Sequence, residues 1–171
     1  MSVTMGTMGE LDASEVGVSG RLSWHATRLF GVEGEVAFYP GGIPDRRVVT
    51  SSRTEAVFGI TVGPRVGRIR PLARLRPGVL RIAPAPGPVA CILIYPPPLT
   101  CTLASGRTLF MLDVGGGVEV DLTPSVFVRL DAGDRVVRYP GPAITRDGVM
   151  TDETFIGHDL RLAAGVGWRL P

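Results

Sequence analysis

The chain has 171 residues, enough for one domain with a substantial core or for a small barrel. Its 18 basic and 16 acidic residues leave a formal charge of only +2 and are scattered singly, which argues against a nucleic-acid-binding surface, where cations gather on one face. A mean hydropathy of +0.25 with no window near about 18 uninterrupted apolar residues excludes a transmembrane helix and leaves a soluble β protein or a membrane β-barrel.

The first residues, Met1-Ser2-Val3-Thr4-Met5-Gly6, carry neither the basic stretch nor the apolar run of a signal peptide. An envelope barrel requires one, so the expectation is that the natural start lies upstream. From there, alternation and the breakers between segments predict eight strands, over 2–8, 15–25, 30–39, 54–66, 68–82, 107–121, 126–138 and 155–170. The last is the clearest: Leu160, Leu162, Ala164, Val166, Trp168 and Leu170 fall on one face, with Asp159, Arg161, Ala163, Gly165, Gly167 and Arg169 on the other. Most segments are longer than the five or six residues usual in soluble strands, and match the roughly 9 to 11 a tilted strand needs to cross a bilayer. The connections alternate between short (26–29, 67, 122–125) and long (40–53, 83–106, 140–154), so the two ends of the sheet carry different loops. That asymmetry belongs to outer-membrane barrels.

Assigning faces strand by strand puts Val16, Val18, Leu22 and Trp24 outside with Arg21 and Ser23 inside. Phe30, Val32, Val36 and Phe38 oppose Glu33 and Glu35; Ile69, Ala73, Leu75 and Val79 oppose Arg70, Arg74 and Arg76. Ala56, Phe58, Ile60 and Val62 point outward, as do Phe110, Leu112, Val114, Val118 and Val120, opposite Asp113, Glu119 and Asp121. Val126, Val128 and Leu130 oppose Arg129 and Asp131. Every charge in the strand centres is thereby expected on one side. An arginine at the lipid midplane costs about 2 to 4 kcal/mol, so in a membrane that side must be the interior. The expected interior network is Arg21, Glu33, Glu35, Arg74, Arg76, Asp113, Glu119, Asp121, Arg129, Asp131 and Arg161. Glycines on the same face, among them Gly17, Gly31, Gly59, Gly115 and Gly117, suit the narrow lumen of an eight-stranded barrel, which its own side chains fill. The alternative is a solvated outer face on a soluble barrel. Trp24, Phe30, Phe38, Tyr39, Tyr139 and Trp168 fall near strand ends, where aromatic girdles sit.

The segments Gly20-Arg21-Leu22-Ser23-Trp24, Gly31-Val32-Glu33-Gly34-Glu35-Val36-Ala37-Phe38-Tyr39-Pro40, Phe58-Gly59-Ile60, Arg76-Pro77-Gly78, Leu112-Asp113-Val114-Gly115-Gly116-Gly117-Val118-Glu119 and Arg129-Leu130-Asp131-Ala132-Gly133-Asp134 resemble bacterial outer-membrane β-barrel domain proteins. The likeness runs over nearly the whole chain from Glu15. It implies an OmpA/OmpX-like fold: an all-β, eight-stranded antiparallel up-and-down transmembrane β-barrel, forming one domain over 1–171. Members of that family begin with a signal peptide and end in an aromatic residue read by the insertion machinery; this chain ends Trp168-Arg169-Leu170-Pro171.

Cys91 and Cys101 flank Tyr95-Pro96-Pro97-Pro98-Leu99 in the longest loop. In an oxidising exterior a disulfide between them contributes roughly 2 to 3 kcal/mol; the alternative is two unpaired thiols. No cysteine or histidine spacing suggests a metal, and no cofactor is expected. His25 and His158 belong to opposite barrel ends and cannot share a site, and no nucleophile, phosphate loop or dinucleotide fingerprint accompanies them. The apolar run Val89-Ala90-Cys91-Ile92-Leu93-Ile94-Tyr95 extends a strand or folds over the mouth, while Arg46, Arg47, Arg53, Asp147, Asp152 and Glu153 read as solvated loop tips. The expected role is a non-enzymatic, monomeric envelope protein with a charge-plugged lumen. Its partners are outer-membrane lipid, lipopolysaccharide and the insertion machinery, and not nucleic acid. A soluble lipocalin-like carrier of an apolar molecule and an outer-membrane lipid-modifying enzyme are the alternatives.

Overall fold

The computed structural model describes residues 2–8, 13–40, 52–84, 95–97, 99–144 and 150–169. The long strands are β1 (Ser2–Met8), β2 (Ala13–His25), β3 (Phe30–Tyr39), β4 (Arg53–Val62), β5 (Ile69–Ile82), β6 (Arg107–Asp121), β7 (Val126–Tyr139) and β10 (Phe155–Trp168). A helical turn, α1 (Leu99–Ala104), and the two-residue strands β8 (Ala143–Ile144) and β9 (Met150–Thr151) lie in the long connections. Antiparallel pairing follows the order β1-β10-β7-β6-β5-β4-β3-β2, and β1 is hydrogen-bonded to β2 on one side and β10 on the other. The sheet curls into a barrel.

The short turns lie together at one end. After β2, the Thr27 hydroxyl accepts from the amides of Leu29 (3.3 Å) and Phe30 (2.9 Å); after β6, the Thr123 hydroxyl accepts from Ser125 (3.3 Å) and Val126 (3.0 Å). Both threonines replace missing ladder partners at a sharp reversal. The third short turn is longer than its sequence suggests: β4 stops at Val62, and the reversal is completed by a Val66–Ile69 bridge around Gly67, whose φ of +60° suits glycine. The β3–β4 register runs one step past Val62, with the Gly63 amide donating to the Leu29 carbonyl 2.9 Å away, before the chain turns.

Period-two alternation sorts the side chains as expected along most of the wall. Leu22, Phe58, Phe110, Ile156 and Leu160 are exposed, each more than half, while Glu33, Arg74, Arg76, Asp113 and Arg161 are buried. Two aromatic expectations are corrected. Tyr39 and Tyr139 are fully buried and point inward, because their odd numbers place them on the lumen side of β3 and β7. The exposed aromatics near strand ends are Trp24, Phe30, Phe38 and Trp168. Ser23, expected inside, is exposed because β2 ends at the open short-turn mouth. Crowding inside is direct: a Cβ on Gly17 would stand 2.6 Å from the Tyr39 ring, and one on Gly59 would stand 2.7 Å from the Arg76 Cα. Strand bends toward a filled axis require glycine there.

Candidate functional site: a layered barrel interior

The interior is built in two layers. Through the middle and toward the short turns it is mainly ionic: among the described residues seven buried carboxylates face seven buried arginines, with Arg21 beside them partly covered, and only on β4 do Arg53 and Glu55 reach up beside Ile82 and Leu80. All the basic residues of this chain are arginine, whose planar fork of donors satisfies several carboxylates at once.

Arg76 is the hub. Its Nη1 donates to Glu33 Oε1 and Glu35 Oε2, both at 2.7 Å, and its Nε to Asp113 Oδ2 at 3.0 Å. Arg161 reaches Glu35 at 2.6 Å and Asp113 at 3.1 Å; Arg21 joins Glu35 at 2.9 Å to Asp131 at 2.8 Å. Arg74 donates to Asp131 at 2.6 Å. Arg129 spans Glu33 (2.8 Å), Glu119 (3.1 Å) and Asp131 (2.9 Å). Several of these bonds join strands that are not neighbours: β3 to β7 through Glu33 and Arg129, β3 to β10 through Glu35 and Arg161, β2 to β7 through Arg21 and Asp131. Ion pairs therefore cross the axis.

Asp121 is the exception among the eleven residues grouped from sequence. It lies at the short-turn rim, bonded to Arg65 (2.9 Å) and Arg169 (2.6 Å), because it is the last residue of β6 and stands one full repeat below Glu119. Conversely, Glu55 and Arg135, which the sequence reading assigns to no face, and Asp159, which it places on the face of Arg161 without grouping it with the network, are buried: Arg135 binds Glu55 and lies 3.5 Å from Asp159. The alternation that sends Ala56, Phe58 and Leu160 outward was the available signal. Arg53, expected on a loop tip, is instead buried as the first residue of β4, its guanidinium 5.9 Å from the Tyr39 ring centre. Asp152 and Glu153 are exposed as expected, whereas Arg46, Arg47 and Asp147 lie outside the described residues.

Toward the long loops the interior becomes apolar. Val57, Leu80, Ile82, Leu109, Met111 and Val137 line it, Leu99 and Leu103 of α1 pack into it, and Tyr139 stacks on Phe155 at 5.4 Å between ring centres. A hydrophobic cap thus sits on an ionic plug. Cys101 lies on α1; Cys91 and the run 89–94 lie outside the described residues, and Tyr95 is exposed.

The histidines are kept apart. His25 contacts Arg70 at the short-turn mouth, beside the Arg70–Glu119 pair. His158 is on the outer wall, its Nδ1 2.6 Å from Asp134 Oδ2. The expectation that every strand charge faces inward is therefore corrected: Asp134 and His158 carry even numbers on β7 and β10 and share the outward parity of Leu130, Leu160 and Leu162. Among the described residues, no group of three or more histidine, cysteine or acidic side chains is arranged to hold a metal ion, and no helix is long and apolar enough to cross a membrane.

No family model and no curated protein matches this chain. Among solved structures it is similar to the crystal structure of Neisserial surface protein A, with a TM-score of 0.61 and 16% identity over 99% of this chain and 94% of that one. At that identity the likeness shows the β-barrel fold over the whole length, without singling out an OmpA/OmpX-like type.

Proposed function

We propose that the chain is a closed, eight-stranded, monomeric transmembrane β-barrel of a bacterial outer membrane, OmpA/OmpX-like in size, with a structural or surface-interaction role and no enzymatic activity. One observation carries the reading: the wall exposes Leu22, Phe58, Leu75, Phe110 and Leu160 while burying arginines and carboxylates along the axis. A monomeric water-soluble protein does not present so continuous an apolar belt, and hydrocarbon does not tolerate the reverse. The soluble lipocalin-like alternative needs its large apolar residues inside along the whole barrel, whereas here, Leu72 apart, the buried ones among the described residues gather at the long-loop end. The surface-protein name of the structural neighbour supports an envelope location.

In this reading the long loops face outward, outer-membrane lipid and lipopolysaccharide surround the belt, and the insertion machinery assembles it. The cross-lumen pairs block conduction. Expressed behind a signal peptide, the protein is expected in the outer-membrane fraction with heat-modifiable gel migration; recovery as a soluble periplasmic monomer would favour the carrier reading.

The proposal extends to a Cys91–Cys101 bond stapling the loop above α1. Denatured protein isolated from the membrane is expected to resist alkylation at both cysteines until reduced. Labelling of both thiols without reductant excludes the staple.

A further inference from the structure

Resting on the membrane reading, the outer wall of β6, β7 and β10 offers a site of its own. Registered side by side on its outward face, the rows run Val118, Leu130, Ala164; then Gly116, Ala132, Leu162; then Val114, Asp134, Leu160; then Leu112, Val136, His158. Above them, toward the long loops, come exposed Arg138 and Ile156. Two features stand out against an apolar belt. The first is polar: His158 and Asp134 are paired at 2.6 Å with side chains 66% and 46% exposed, and exposed Arg138 stands one repeat above His158. An ionisable pair facing lipid is costly and marks a functional site by default. The second lies just below: Gly116, Ala132 and Ala164 leave a groove of about 690 Å³ walled by Val118, Leu130 and Leu162.

We propose that this wall binds one phosphate-bearing acyl lipid of the long-loop leaflet. The Arg138 guanidinium and the His158 ring hold the phosphate, Asp134 fixes the ring through Nδ1 and leaves the second nitrogen on the opposite side, and an acyl chain lies in the groove. Arginine and histidine together favour phosphate over an uncharged headgroup. Among the described residues, the other exposed arginines near this level, Arg81 and Arg107, sit on β5 and β6.

The test is native mass spectrometry of the detergent-purified full chain with dioleoylphosphatidic acid or dioleoylglycerol added at equal concentration. One phosphatidic acid is expected to remain bound about tenfold more than diacylglycerol, the worth of one charge-assisted hydrogen bond. Arg138→Ala with His158→Ala is expected to remove that preference, and Ala132→Phe, which fills the groove, to lower retention of both lipids about tenfold. Equal retention of the two lipids, or unchanged retention in either variant, overturns the site. Heat-modifiable migration of each variant reports the barrel separately, so an unchanged lipid preference in a variant with a normal gel shift counts against this site and leaves the membrane reading standing.

Discussion

Replacing Arg76 with methionine is expected to cost about 3 to 5 kcal/mol of unfolding free energy, the largest effect of any single interior substitution. Arg76 is fully buried and donates to Glu33, Glu35 and Asp113 at once. Methionine keeps the stem's packing and removes the charge, so three carboxylates lose their shared partner where water cannot reach them. Arg76→Lys should fall between the two, since an ammonium keeps the charge but lacks the fork that reaches three acids. Urea unfolding of the refolded protein, followed by the gel shift between folded and unfolded bands, measures both. A loss below about 1 kcal/mol, the range of an exposed ion pair, would show that no such hub exists.

Leu75→Arg probes the opposite surface. Leu75 is exposed and lies on β5 midway between Ile69 at the short-turn end and the exposed Arg81 near the loops. If the belt is in hydrocarbon, this substitution places a guanidinium near the midplane and costs about 2 to 4 kcal/mol in bilayers. If water surrounds it, the change stays within about 0.5 kcal/mol, as surface substitutions usually do. Unfolding in lipid vesicles therefore separates a membrane wall from a solvated one by a margin larger than the scatter of such measurements.

Much of this architecture was legible because alternation is a local property. Phe58 and Glu55, or Leu160 and Asp159, lie on opposite faces by parity alone, whatever the partner strands are. What parity cannot give is who meets whom across the lumen. Glu35 bonds to Arg161 over 126 residues of chain because the curl of the whole sheet sets β3 across from β10. The apolar cap was hidden for another reason. Leu80, Met111 and Val137 face inward beside outward Val79, Phe110, Leu112 and Val136, so the contrast that reveals a face is weak. Six residues of α1 inside a proline-rich segment are too few to show a helical period. Asp134 and His158 obey the parity and break the polarity rule laid over it, which is why face assignment by charge does not single them out and why they draw attention as a site.

The two tryptophans provide the most direct test of which way the wall faces. Trp24 and Trp168 lie near the short-turn end, each about two-thirds exposed. With the protein reconstituted in vesicles, lipids brominated along their acyl chains should strongly quench tryptophan fluorescence, and aqueous iodide should quench it weakly. Emission quenched by iodide and untouched by brominated lipid would place these rings in water and contradict a lipid-facing belt.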